Sequence, residues 1–397
     1  MTAELPFAGV RIVDFTANMS GPLATMVLGD QGADVIKIEP PAGGDAIRHL
    51  GVGVGDVTTY FANLNRSKRS LALDLSRPEA APVVTALLDW GHVVVHNFRR
   101  SVAERLGLDA ARVRAGRPGL IHVAVDGFGP AGPFAGRPAY DHVIQALTGY
   151  AAKQADRETG EPVLIRNGVV DKATAWTVAQ AISAALYARA TTGEGQAIEV
   201  SMVDAAVAFL WPDGMMNQTQ VDTKPDVPDI AGSFRLTPTK DGHLAFALAT
   251  SRQWSRLLEA FGLAGDERLV GPDGKVHSQG PAFREVRRVL ATLPTDEAVE
   301  LLAAAEIAVA PVVDVDDVHA HPQIVVGGTM GEVDHPTLGR IRQPNPPARF
   351  GGVGVEDLRP APSLGQHDDE ILADLGFSVD AVGELRRAGV LSRPSPT

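Results

Sequence analysis

Short apolar runs alternate with helical periodicity along roughly the first 130 residues. Val10–Phe15 reads as a strand, and Pro22–Asp30 then carries Leu23, Met26 and Val27 at helical spacing before Gly32 stops it. Val35–Glu39 repeats the strand pattern, and Val93–Val95 and Ile121–Val125 are further β-branched runs with helical stretches between them. Brief, continuously apolar strands separated by helices indicate a parallel sheet covered on both faces. The pattern therefore predicts an α/β chain with a large, Rossmann-like, doubly wound domain.

The stretch Val163–Met202 is the most informative. VLIRNGVVD reads as an apolar strand ending in a single acid, Asp171. The helical pattern KATAWTVAQAISAALYARA follows, a Gly turn stops it, and AIEVSM reads as a period-2 strand. A carboxylate at a strand end and a helix start lies where open α/β sheets bind ligands. Asp is also a preferred helix N-cap, and the two roles are compatible. A helix N-terminus favours an anion, so an ionised Asp171 at pH 7 is expected. Such a carboxylate can attack an activated acyl group without a general base.

After about residue 208 the pattern changes. WPDGMMNQTQVDTKPDVPDIAG is irregular and rich in Pro and Asp, which predicts a linker. GSFRLTPTKDGHLAFAL predicts a hairpin turning at Asp241-Gly242, with helices near 251–262, 281–293 and 295–305. A second hairpin is expected near 331–344, and a last helix near 379–388. The expected organisation is a large domain beginning with 1–208, a linker 209–230, a small α+β domain 231–328, and a return to the large domain over 329–397.

Composition narrows the function. The 397 residues are 45% apolar and 21% charged, ordinary for a globular protein. No apolar run is long enough to span a membrane, and no secretory leader is recognisable at the N-terminus, so a cytoplasmic location is expected. Cysteine is absent, which removes disulfides, thiolate metal sites and a Cys nucleophile. A net charge of −12 argues against general nucleic-acid binding but leaves room for a small polyanion on a local basic cluster.

Other candidates are weaker. The first strand–helix turn, Thr16-Ala17-Asn18-Met19-Ser20-Gly21-Pro22, lacks the glycines of a dinucleotide-binding loop. Glu39, ending the second strand, is the one residue placed to meet a ribose, so a nicotinamide-dependent dehydrogenase is a remote alternative. Basic residues cluster at Arg66-Ser67-Lys68-Arg69, at Arg99-Arg100 with Arg105, and at Arg137; a solvated surface accounts for each alone. Asn97-Phe98-Arg99 differs, because it follows a buried strand where ligands dock. DVDDVHAHP has the wrong spacing for helical zinc motifs and reads as a solvated helix end stopped by Pro322. His367 with Asp368, Asp369 and Glu370 reads as an acidic helix start. Tyr140-Asp141-His142 reads as a polar loop entering a helix, with an acid–base pair as the alternative.

Several segments, taken in order, resemble the family III CoA-transferases, the group that includes formyl-CoA transferase and α-methylacyl-CoA racemase. They are GVRIVDFTANMSGPLATMVLGDQGADVIKIEPPAGGDAIR, NLNRSKRSLALDL, VVVHNFRRSVAERLGL, DGFGPAGPFAGRPAYDHVIQALTG, VVDKATAWTVAQAISAALYARATTGEGQAIEVSMVDA and PSLGQHDDEILADLGF. The resemblance implies a Rossmann-like large domain built from both chain ends, a small domain between, and an obligate homodimer of interlocked rings. It implies an acyl-CoA and a small carboxylic acid as substrates, coenzyme A being a substrate and no cofactor tightly bound. Asp171 matches the nucleophile, which forms acyl-aspartyl anhydride and aspartyl-CoA thioester intermediates. Asn97, Phe98 and Arg105, with Lys68 and Arg69 nearby, match the CoA-binding stretches, and Arg137 is a further candidate for CoA.

Two positions refine the expectation. The racemases of this group place a His of a proton-exchanging His–Asp pair where this chain has Tyr140, followed by Asp141. A tyrosine, with a pKa of about 10, is a poor base near neutrality. Transferase is therefore expected, with Tyr140 and Asp141 in the site and an acyl-CoA racemase as the alternative; His142 is expected to point elsewhere. Formyl-CoA transferase carries a Gln at the position of Met19 and a Gly-rich loop whose nearest match here is Ala231-Gly232-Ser233. An acyl group larger or less polar than formyl or oxalyl is the resulting expectation.

Overall fold

The protein is described here from a computed structural model covering residues 5–223, 234–270, 279–350 and 352–391. Two compact units are present, one formed by 1–216 with 328–397 and the other by 217–327.

The larger unit is built on six strands: β1 (Arg11–Asp14), β2 (Asp34–Glu39), β3 (Lys68–Ala72), β4 (Val93–His96), β5 (Ile121–Asp126) and β6 (Ala197–Ser201). They pair in the order β3-β2-β1-β4-β5-β6, all parallel. Ile12 pairs with Val35 on one side and Val93 on the other. Alternate side chains leave opposite faces. Val13, Ile36, Leu71 and Val94 join a core covered by α3 (Ala81–Trp90) and the two C-terminal helices, Asp368–Asp374 and Val379–Arg387. Ile12, Val35, Val93 and Val123 meet α1 (Ser20–Asp30) and the long helix Val169–Thr192 on the other face. Two-sided burial is why these strands are mostly apolar, and the charged residues within β2 and β3, Lys37, Lys68 and Arg69, are buried. The C-terminal segment is tied to β3, where the backbone N–H of Ala72 donates to Asp368 Oδ1 across 2.9 Å.

Three further helices shape the large unit, α2 (Thr59–Asn65), α4 (Arg100–Leu106) and α5 (Asp141–Leu147), and the Val169–Thr192 helix already met is α6. The segment before α6 corrects the sequence reading, because Val163–Asn167 is not a strand. It has no sheet neighbour, and its backbone is bonded locally, Val163 N–H to the carbonyl of Ala151 at 3.0 Å and Ile165 N–H to the Gln145 side chain at 2.9 Å. Helix α7 (Met202–Gly214) is a second correction, since it carries Pro212 inside and extends into what reads as linker. Residues 224–233, which hold the rest of that stretch and Ala231-Gly232-Ser233, lie outside the described residues.

In the smaller unit, His243–Ala247 lies between Thr237–Pro238 and Ala308–Pro311 in an antiparallel sheet. Helices Ser251–Ala260, Gln279–Leu290 and Thr295–Ala304 accompany it around Leu244, Leu257, Val286 and Leu302. An exposed 3-10 turn, Val318–Ala320, ends at His321 just before Pro322, as the sequence reading has it, and Pro322 also opens the short helix Pro322–Val326. Proline suits the first helical position, where its missing N–H costs nothing. The hairpin Met330–His335 with Gly339–Pro344 belongs to the larger unit.

Candidate active site

Strand order reverses between β1 and β4, so the loops leaving these strands diverge and open a crevice at their carboxyl ends. The loop after β1 is held by a buried polar network. Asp14 accepts from the N–H and hydroxyl of Thr16 at 2.9 and 2.5 Å, from Thr25 Oγ1 at 2.6 Å and from Lys68 Nζ at 2.9 Å. Burial would raise the pKa of Asp14, but Lys68, Lys37 and the two hydroxyls hold it down at about 2. Lys37 Nζ donates to the Thr16 carbonyl and pairs with Asp45, which in turn accepts from the N–H of Asn18 at 3.1 Å. Asn97, just after β4, bonds both ways to Ala17, accepting at 3.0 Å and donating at 2.7 Å. The turn places Asn18 at a φ of 67° and brings Gly21 so close to Thr16 that an added Cβ would sit 2.4 Å from the threonine Cβ. Only glycine fits that approach. The result is a fixed position for Ser20, the first residue of α1.

Ser20 donates its hydroxyl to the carboxylate of Asp171. Asp171 is the third residue of α6; Gly168 occupies the cap position, which corrects the expectation of an Asp N-cap. The anion at this helix start is Asp141, in the first turn of α5: its Oδ2 accepts the backbone N–H of Asp171 at 2.9 Å. Asp141 Oδ1 is held by Gln145 Nε2 at 2.5 Å. The electrostatics at Asp171 therefore run against the simple helix-dipole expectation. Burial and the neighbouring Asp141 push its pKa up to about 6, outweighing Ser20 and Lys172. Even so, about nine-tenths of it is ionised at pH 7.

Asp171 opens onto a cleft of about 470 Å³. Asn97, Phe98, Arg137 and Tyr140 line it, as the sequence predicts, together with Asn18, Ser20, Arg99, Arg100 and the Asp126–Gly129 turn. His96 stacks on Phe98 with centroids 5.7 Å apart and so fixes the Phe98 ring from behind. Arg137 lies over the Phe134 ring at 4.2 Å. Gly127 lets the chain before Tyr140 pass, since a Cβ there would meet that of Ala139 at 2.1 Å. Tyr140 is 59% exposed. Its ring lies parallel to that of His142 at 6.3 Å, but His142 does not line the cleft, in keeping with the expectation that it points elsewhere. Met19 packs beside the start of α6, its Sδ 2.7 Å from where a Cβ on Gly168 would lie.

Four basic candidates fall elsewhere. Lys68 is fully buried, bonded to Asp14, Asn65 and the Pro22 carbonyl; it holds the loop and has no face toward the cleft. Arg69 lies on the other side of β3, paired with Asp34 at 2.6 Å and with Glu370 and Asp374. Arg66 is buried against Asp30 at 2.8 Å, so none of the RSKR stretch except Ser67 is a solvated surface. Strand alternation and buried acids explain this, and a local run of basic residues does not reveal it. Arg105 is exposed on α4, beyond the cleft-lining Arg100, Ser101 and Glu104. Glu39 is consumed by Arg48 at 2.7 Å and is closed to a ribose. Sequence reasoning missed Ser20 and Gln145; the four-residue spacing of Asp141 and Gln145, which puts both on one helix face, was the available signal for the second.

Known proteins resemble the chain along almost its whole length. The family described as CoA-transferase family III matches residues 7–368. A human succinyl-CoA:glutarate CoA-transferase is 29% identical over 396 residues, covering 98% of this chain and 90% of the relative. A formyl-CoA:oxalate CoA-transferase from Rhodopseudomonas palustris is 31% identical over 425 residues, covering 97% of each. The crystal structure of a CAIB/BAIF family protein from Brucella suis superposes with a TM-score of 0.79 at 28% identity, covering 94% of this chain and all of that one. A hypothetical protein from Mycobacterium tuberculosis superposes with a TM-score of 0.78 at 30% identity, covering 92% and 98%. The chain belongs to the family III CoA-transferases, enzymes whose substrates are CoA thioesters.

Proposed function

We propose that the protein moves CoA from a donor acyl-CoA to an acceptor carboxylate, with Asp171 as the nucleophile. The observation that carries the reading is the Asp171 carboxylate at the switch-point cleft, bonded by Ser20 and destabilised as an anion by burial and Asp141. The environment that raises its pKa disfavours the anion relative to any neutral acyl derivative. In the first step a carboxylate oxygen attacks the thioester carbonyl, the C–S bond breaks and CoA leaves as thiolate. The product is a mixed anhydride on Asp171. The thiolate then attacks the Asp171 carbonyl, releasing the donor carboxylate and leaving an aspartyl-CoA thioester. The acceptor carboxylate repeats the sequence in reverse. No proton is consumed, so a base at Tyr140 is not required. Both intermediates hydrolyse in water, so the cleft must exclude it.

Arg99, Arg100 and Arg137 at the cleft supply cations for the phosphates, with Asn97 and Phe98 alongside. Lys68 and Arg69 drop out of this assignment because of their burial and pairing. The relatives' names include both a dicarboxylate pair and a formyl–oxalate pair. An apolar Met19 beside Gly168 favours the larger, methylene-containing acyl group of the first kind. We also propose a homodimer as the working enzyme, with the exposed Tyr187 and Phe209 of α6 and α7, 74% and 64% exposed, as candidate contacts. Native mass spectrometry reads that directly.

The deciding experiment is intact-protein mass spectrometry after mixing with succinyl-CoA, glutaryl-CoA and formyl-CoA, followed by hydroxylamine or borohydride trapping. An acyl or CoA adduct mapping to Asp171 is expected with at least one donor. No adduct, with solvent deuterium entering the carbon beside the thioester, would replace transfer by racemisation.

A further inference from the structure

Gln145 lies one helical turn after Asp141 on the same face of α5 and is 1% exposed. Its Nε2 donates to Asp141 Oδ1 at 2.5 Å and lies 3.2 Å from the carbonyls of both Ile165 and Asn167. Its Oε1 accepts the N–H of Ile165 at 2.9 Å. A primary amide has two donors and one acceptor, and here all are engaged. These contacts meet the two elements that fix Asp171 in space. One is the strandless segment 165–167, which runs directly into Gly168 and α6. The other is Asp141, whose second oxygen holds the Asp171 backbone.

We propose that Gln145 is a positioning residue for acyl transfer: its amide locks Asp141 and the 165–167 segment together, and so sets the orientation and the charge environment of Asp171. The kinetic half of this inference rests on the reading of Asp171 as nucleophile; the lock itself does not. A leucine at 145 fills similar volume but leaves Asp141 Oδ1 and the carbonyls of Ile165 and Asn167 without that partner. Asp141 is then free to turn away from α6. A glutamate keeps the shape and sets a second carboxylate beside Asp141. The groups that face the Asp141–Asp171 pair are Ser20 on α1, Tyr60 on α2, Lys172 on α6 and Tyr150, and neither substitution touches them.

The test uses the full chain without ligand, labelled with carboxyl-13C aspartate, the Asp171 signal being assigned by its loss in Asp171→Asn. Gln145→Glu should move the Asp171 titration midpoint upward, and Gln145→Leu should move it downward, each by about half a pH unit or more. With succinyl-CoA and glutarate, Gln145→Leu should lower kcat about tenfold or more while leaving KM for succinyl-CoA within about twofold. Unchanged Asp171 titration in folded variants overturns the proposal; if Gln145→Leu does not fold, Gln145→Glu decides alone. Asp171 midpoints that move as expected in the Gln145 variants, with a wild-type protein that forms no adduct, keep the lock and remove the transfer reading.

Discussion

The backbone N–H of Asp171 donates to Asp141 Oδ2 across 2.9 Å, so the helix start that would stabilise the Asp171 carboxylate is occupied by another acid. Asp171 is left with the Ser20 hydroxyl and a repulsive neighbour. A buried carboxylate in that position is ionised at neutral pH yet poorly stabilised as an anion, which is the condition a carboxylate nucleophile needs.

The first consequence is a pH profile. The reactive form is ionised, and the Asp171 pKa lies at about 6. The acidic limb of kcat/KM should therefore fall with a midpoint near 6, well above an ordinary carboxylate. Asp141→Asn removes the repulsion and should move that limb to lower pH. A limb near 4 in the wild type would mean that the nucleophile is not this group.

The same shift has a sign for stability. The folded pKa of about 6 exceeds the ordinary value of 3.8, so between these pH values the folded state binds the extra proton. Asp171 thus favours folding fully only below pH 4, and that contribution is lost as pH rises through 6. Asp171→Asn, neutral throughout, should be more stable than wild type at pH 7–8 by up to roughly 3 kcal/mol, the gain shrinking toward pH 4. Its CoA exchange should fall at least about a thousandfold. Denaturant titrations at pH 4.5 and 7.5 check the first statement, and a CoA-exchange assay checks the second.

The fold was largely legible in the sequence because two-sided burial leaves a clear trace: β1, β2, β4 and β5 are mostly apolar and lie between helical stretches. The segment before α6 was misread because VLIRNGVVD is apolar enough for a strand, and periodicity does not show that no neighbouring strand is there to pair with it. Asp171, Tyr140, Asn97 and Phe98 all line the cleft; Asp171 and Asn97-Phe98 stood out because they sit at breaks between elements, where ligands gather, and Tyr140 through the family resemblance. Ser20 and Gln145 were missed because their role is a bond to a residue distant in sequence. Lys68 was misassigned for the converse reason. A basic residue in a motif reads as a phosphate ligand until the structure shows Asp14 waiting beneath it.

That reassignment makes Lys68 a test of stability rather than binding. Lys68→Met leaves Asp14 buried without its 2.9 Å partner, and breaking a buried pair from one side costs about 3–5 kcal/mol. The unfolding midpoint should drop sharply while KM for succinyl-CoA in the surviving folded fraction changes little. A large rise in KM with unchanged stability would restore Lys68 to the CoA site.

Arg137 should behave in the opposite way. It is exposed at the cleft, its guanidinium resting on the Phe134 ring at 4.2 Å. An exposed cation of this kind contributes at most a fraction of a kcal/mol to folding, so Arg137→Glu should leave the unfolding midpoint nearly unchanged. In the proposed reaction it meets an anionic ligand, and reversing its charge would turn attraction into repulsion. KM for succinyl-CoA should rise about tenfold or more at low ionic strength. The difference from wild type should shrink as salt is added, because screening weakens attraction and repulsion alike. Initial rates at 20 and 300 mM salt separate this from a packing effect of the lost Phe134 contact, which salt would not relieve. A KM that rises equally at both concentrations would place the CoA phosphates away from Arg137 and leave Arg99 and Arg100 as the remaining cations of the cleft.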